Sequence, residues 1–211
     1  MASIGLTFLS FIRMSNVSSC VVIMFALLPC TAQAHLVNTG LGPVYDGITH
    51  LFITPEDLLT AVTLALYCGL LGAAASRLGM FVFPVVWCIG GLIGLDSSFN
   101  SSLPVSAFSF LLLGVLVAAD IALPRRYLVV IIVLVGLVHG VFNGQSLQTG
   151  PAERGLIGTI GALFVLMTLV SACVVVLKPT WTRIAVRVLG SWVSASGILL
   201  FGWHLREMHL G

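Results

Sequence analysis

The sequence predicts an all-α polytopic membrane protein: six transmembrane helices after a cleavable N-terminal signal peptide. Three observations carry that expectation. The chain of 211 residues is 59% hydrophobic and only 8% charged, against about 25% for a soluble domain. Its nine basic and seven acidic side chains leave a formal net charge of +2. That is too little to hold nucleic acid, and the hydrophobicity is too high for a disordered chain. Finally, the apolar residues fall into runs close to the roughly 20 residues that cross a bilayer. No length remains for a soluble catalytic domain, so no enzyme is expected.

The elements follow in order. Arg13 precedes an apolar run over 17–28, then come Pro29 and Ala32-Gln33-Ala34. A basic residue, a short apolar core and an A-x-A end are the parts of an export signal. Cleavage after Ala34 makes 1–34 the signal and 35–211 a single membrane domain beginning at His35; an uncleaved first span is the alternative. Six apolar segments are expected at about 58–76, 79–95, 103–123, 127–143, 156–177 and 188–204. The breaks are Arg77, the polar stretch 96–102, Pro124-Arg125-Arg126, the loop 144–155 and the stretch 178–187. With His35 outside, Arg77, Arg125, Arg126, Lys178, Arg183 and Arg187 fall in inside loops, and Arg154 and Arg206 fall outside. Basic residues hold cytoplasmic loops inside. The expectation is a bacterial inner-membrane protein with both mature termini outside.

Glycine is abundant, 22 residues, and patterned. Gly136, Gly140 and Gly144 recur every four residues, as do Gly90 and Gly94. In lipid, small residues on one helix stripe let backbones approach and gain contact. No strand precedes these glycines and no Lys accompanies them, which excludes a nucleotide loop. Cys68, Cys88 and Cys173 stand singly in apolar stretches, so neither a disulfide framework nor a zinc site is indicated.

Ionisable groups at membrane depth are costly and therefore informative. One cluster holds Asp46, His50, Thr54, Glu56 and Asp57 at the outer end of the first span. The second is His139-Gly-Val-Phe-Asn143-Gly-Gln145 at the outer end of the fourth. His139 and Asn143 are four apart and share a helix face. An imidazole and an amide oxygen opposite carboxylates suit a divalent cation, since imidazole serves nickel, cobalt, copper or zinc and carboxylates tolerate harder ions. The competing readings are structural. Thr54-Pro55-Glu56-Asp57 makes a good helix start, with Thr as cap and acids at the positive dipole end. His139 and Asn143 would serve equally as hydrogen-bonding groups between helices. Asp120 is expected to pair with Arg125 or Arg126, and His204 and His209, beside Trp203, to anchor the interface. His35, once freed by cleavage, adds an amine and an imidazole to the metal candidates, which are His50, Glu56, Asp57, His139, Asn143, His35 and Asp46.

At these two clusters the sequence resembles the HupE/UreJ family of membrane proteins associated with hydrogenases and ureases. Members are similar in having a cleaved signal, a first-span motif of the form H-P-x-x-G-x-D-H-L and a later one of the form H-G-x-A-H-G-x-E. Here the first reads His50-Leu-Phe-Ile-Thr54-Pro-Glu56-Asp57-Leu58 and the second His139-Gly140-Val-Phe-Asn143-Gly144-Gln145. His50, His139, Gly140 and Gly144 match. Glu56, Asp57, Asn143 and Gln145 stand where the family has Asp, His, His and Glu, which shifts the donor set from nitrogen to oxygen. The resemblance implies import of nickel or cobalt, with the divalent metal as cargo and no tightly bound cofactor. Its alternative is a non-transporting, metal-binding accessory of metalloenzyme maturation. The partners implied are the lipid bilayer, the metal ion and such a maturation system.

Overall fold

The computed structural model describes residues 39–97, 104–177 and 180–210. The proposed signal and His35 lie outside the described residues. Those described form seven helices and no strand: α1 (Pro43–Ile53), α2 (Pro55–Leu70), α3 (Ala73–Leu95), α4 (Val105–Ala118), α5 (Arg125–Leu147), α6 (Ala152–Val176) and α7 (Thr180–Leu210). α3, α5, α6 and α7 are each long and apolar enough to cross a membrane. A fifth crossing is available if α1 and α2, bent by 77° at their junction, count as one. α4 is apolar but only 14 residues long.

Each predicted segment contains a helix, α2 to α7 in order, but the boundaries move. The first break falls at Leu71 and Gly72, not at Arg77, which lies inside α3. Gly72 takes a φ of 99° there, a conformation open to glycine at no steric cost. The charged residue thus lies past the turn and does not mark it. α1 was not expected. It is separated from α2 by Thr54, which precedes Pro55 and is extended at φ −95°, ψ 93°, as a residue before proline must be. The third segment unwinds early: after Ala118 the chain turns through Asp120 at φ 55° and runs without helix to Pro124.

Irregular backbone at membrane depth must have its polar groups satisfied by neighbouring protein. The buried Tyr67 donates its hydroxyl to the Ile121 carbonyl (2.9 Å), and Arg187 Nε donates to the Ala118 carbonyl (2.9 Å). Arg183 forks onto both carboxylate oxygens of Asp120, with Nη2 at 2.8 Å from Oδ1. The predicted partner of Asp120 was Arg125 or Arg126. α7 supplies it instead, because its first turns stand beside the end of α4.

Close backbone approach builds the bundle. α3 lies along α5 with Gly90 and Gly94 against the backbone of Leu137 and Val141, Gly140 against Trp87, and Gly144 against Gly91. A Cβ at any of these four glycines would collide with the facing main chain. α1 crosses α6 through Gly47 against Gly155 and Gly158 against Val44, and α4 crosses α7 through Gly114, Gly190 and Gly197. Outside these seams the surface is apolar: Phe81, Val85, Leu134, Ile157, Leu169, Trp192 and Leu199 are all exposed. Such a continuous apolar exterior suits lipid, not water.

Candidate functional site

Three helices bring the two sequence clusters into contact. α2 begins at Pro55, which places Asp57 in its first turn, pointing inward and buried. α5 carries His139 and Asn143 one turn apart, both buried, on the stripe where Gly140 and Gly144 admit α3. His139 Nδ1 lies 2.9 Å from Asp57 Oδ1, and Asn143 Nδ2 donates to Asp57 Oδ2 at 3.4 Å. A carboxylate only accepts, so Nδ1 carries the ring proton and Nε2 of the neutral ring is left as an acceptor. Ser109 of α4 stands 2.9 Å from that Nε2, and Thr60 of α2 stands 3.5 Å from it. The Trp87 indole of α3 stacks on the imidazole with centroids 5.8 Å apart.

Two buried groups here have no hydrogen-bond partner among the described residues: Asn143 Oδ1 and Trp87 Nε1. An unmet amide oxygen beside a paired carboxylate is an acceptor awaiting a donor or a cation. His139 and Asp57 also line a cavity of about 340 Å³. Its wall takes in Glu56, Ser106, Phe142, Trp203, His204 and Glu207, so it reaches from the buried pair to the last turns of α7.

The remaining predicted residues divide. His50 is half-buried on α1 and reaches the cluster indirectly. Ser146 donates to the Asn143 carbonyl (2.7 Å), so its oxygen accepts from His50 Nε2–H at 2.8 Å. Glu56 turns away from Asp57, is exposed, and accepts from Ser106 at 2.8 Å. Thr54 occupies the cap position of α2 but makes no side-chain capping bond. Asp46, near the start of α1, is held apart by Thr39, whose hydroxyl and amide both donate to it and keep its carboxyl below the usual range. Among the described residues, no group of three or more His, Cys, Asp or Glu side chains is gathered as a metal site would need. His204, expected as an interface anchor, lines the cavity together with Trp203.

Sequence reasoning passed over Ser109, Thr60, Ser146 and Trp87. Thr60 had a signal, since it lies three residues after Asp57 on the same helix face. Ser109 is one hydroxyl in an apolar run, and only the packing of α4 on α2 distinguishes it from the other serines.

An all-helical bundle with an apolar exterior and an ionisable pair buried among its helices is an integral membrane protein built around a polar interior site. The family model described as HupE / UreJ protein matches residues 23–200, and the chain belongs to that family. It is also similar to Protein HupE of Rhizobium leguminosarum bv. viciae, at 25% identity over 178 residues, 82% of this chain and 91% of the relative. No solved structure matches.

Proposed function

We propose that this protein is an inner-membrane permease for a divalent transition metal of the nickel or cobalt type, with α2 to α7 as its crossings, and not an enzyme. The metal is captured at the outer face by His50, Glu56 and Asp46, assisted by His35 if the signal is cleaved after Ala34. It then passes to the buried site built around Asp57, His139 and Asn143 and inward between glycine-packed helices. The observation that carries this reading is the buried Asp57–His139–Asn143 group, which adjoins a cavity lined by further acids and His204. Ionisable residues buried in a membrane protein cost several kcal/mol and mark ion or substrate paths. The negative interior potential favours cation entry by about 2.3 kcal/mol per charge per 100 mV. Belonging to the HupE/UreJ family connects the cargo to hydrogenase or urease maturation.

The test is accumulation of nickel, cobalt, zinc and copper in cells producing the wild type, Asp57→Asn, His50→Ala or His139→Ala. Uptake of one metal should fall at least tenfold in Asp57→Asn and His139→Ala, and several-fold in His50→Ala. Unchanged accumulation of all four metals in every variant overturns the permease. A second reading, a non-transporting metal-binding accessory of metalloenzyme maturation, draws on membership of the HupE/UreJ family. Metal bound to purified protein, without flux into liposomes, decides for it.

A further inference from the structure

The donor atoms around His139 differ from those the motifs suggest. Asp57 takes the Nδ1 side of the ring, so it cannot share an ion with the opposite nitrogen. A carboxylate fixed to one imidazole nitrogen orients the ring and raises the basicity of the other, which is how metal-binding histidines are held. What faces Nε2 is a pair of hydroxyls, Ser109 Oγ at 2.9 Å and Thr60 Oγ1 at 3.5 Å. All three side chains are buried. Two donors about 2.1 Å from a common ion lie about 3.0 Å apart at a right angle and about 3.4 Å apart at the tetrahedral angle. The two separations, 2.9 and 3.5 Å, are close to these spacings. One turn away on the same helix, Asn143 Oδ1 is buried and has no partner among the described residues, on the Asp57 side of the ring.

We propose that the transported cation binds on the Nε2 side of His139, with Ser109 and Thr60 as oxygen ligands and Asp57 as a positioning residue outside the coordination sphere. This rests on the permease reading and specifies its central site. In the neutral tautomer that donates Nδ1–H to Asp57, Ser109 donates its proton to Nε2. Binding a cation requires only that this hydroxyl rotate its proton away and turn a lone pair inward. One imidazole and two neutral oxygens make a weak site, which suits transport, since an ion must leave as readily as it enters. Such a set serves borderline divalent ions such as cobalt(II) and nickel(II), and disfavours copper(I), which seeks sulfur.

Cobalt(II) added to the purified full-length protein tests the assignment by absorption spectroscopy and equilibrium dialysis. Ser109→Ala and Thr60→Val should each weaken cobalt binding at least fivefold. Asp57→Asn should weaken it roughly 10–100-fold, the range for outer-shell partners of metal-bound histidines. Ser109→Cys is the decisive variant, because a thiolate on cobalt adds a charge-transfer band that a purely structural serine would not produce. The band should exceed any from the native cysteines and vanish in Ser109→Cys/His139→Ala. If Ser109→Ala binds cobalt as the wild type does and Ser109→Cys gains no band, while His139→Ala still loses uptake, the hydroxyl site is wrong and the permease stands. If Asp57→Asn, His50→Ala and His139→Ala all accumulate the four metals as the wild type does, both fall.

Discussion

Asp57 shows how much a single residue's environment decides. Its neighbour Glu56 has the same chemistry and lines the same cavity, yet α2 buries the Asp57 carboxylate and leaves that of Glu56 exposed. The helix start at Thr54-Pro55 was legible in sequence, and so was the pairing of His139 with Asn143 on one face. What the sequence could not carry is which partner each group meets, because α2, α4 and α5 converge only through tertiary packing. Tyr67 makes the same point elsewhere. Nothing in its apolar surroundings predicts a polar role, yet its hydroxyl donates to the Ile121 carbonyl where the chain has left α4. Tyr67→Phe removes that donor and keeps the ring. Losing such a hydrogen bond costs about 0.5–1.5 kcal/mol, so the variant should unfold at a correspondingly lower denaturant midpoint in detergent. An unchanged midpoint would mean that another donor or water reaches Ile121.

At the scale of the element, the α3–α5 pair ties packing to the site. Gly140 and Gly144 flank Asn143 on α5, and the Trp87 and Gly91 backbones of α3 lie directly against them. The stripe that lets α3 approach therefore also brings the Trp87 ring onto His139. The four-residue spacing was readable because lipid leaves close contact as the main force between helices. The glycines of α4 and α7 were not, since Gly114, Gly190 and Gly197 keep no such common spacing. Gly144→Ala puts a methyl into the Gly91 carbonyl, and overpacking of this kind costs about 1–3 kcal/mol. Gly161→Ala on α6 meets nothing within 4 Å and should be neutral or stabilising by up to about 1 kcal/mol, the intrinsic helix preference of alanine. Thermal unfolding of both variants checks the contrast. Equal losses would show that helix–helix contact is not what these glycines serve.

Over the whole molecule, direction and charge run together. Tyr67 of α2 reaches Ile121 after α4, and Asp120 meets Arg183 at the start of α7. The α2–α3, α4–α5 and α6–α7 connections therefore share one end. His50 bonding Ser146, Glu56 bonding Ser106 and Gln148 bonding the Gly94 carbonyl define the other. Arg77, Arg125, Arg126, Arg183 and Arg187 gather at the first end with Asp120, and Asp46, Glu56, Asp57, Asp96, Glu153 and Glu207 at the second with Arg154 and Arg206. This polarity was legible from charge spacing alone, although the sequence misplaced the first turn and missed α1. An acidic end raises the local concentration of cations, and the basic end is the one that the positive-inside rule holds in the cytoplasm. Reporter fusions test the arrangement. Fusion at Gly72 or Pro124 should give a fluorescent cytoplasmic reporter and inactive alkaline phosphatase, whereas fusion at Gly150 or Gly211 should give active phosphatase and no fluorescence. The opposite pattern would place the His139 cavity toward the cytoplasm and turn the proposed importer into an exporter. The same reporter response at Pro124 and at Gly150 would remove α5 as a crossing, and with it the path on which the uptake mechanism depends.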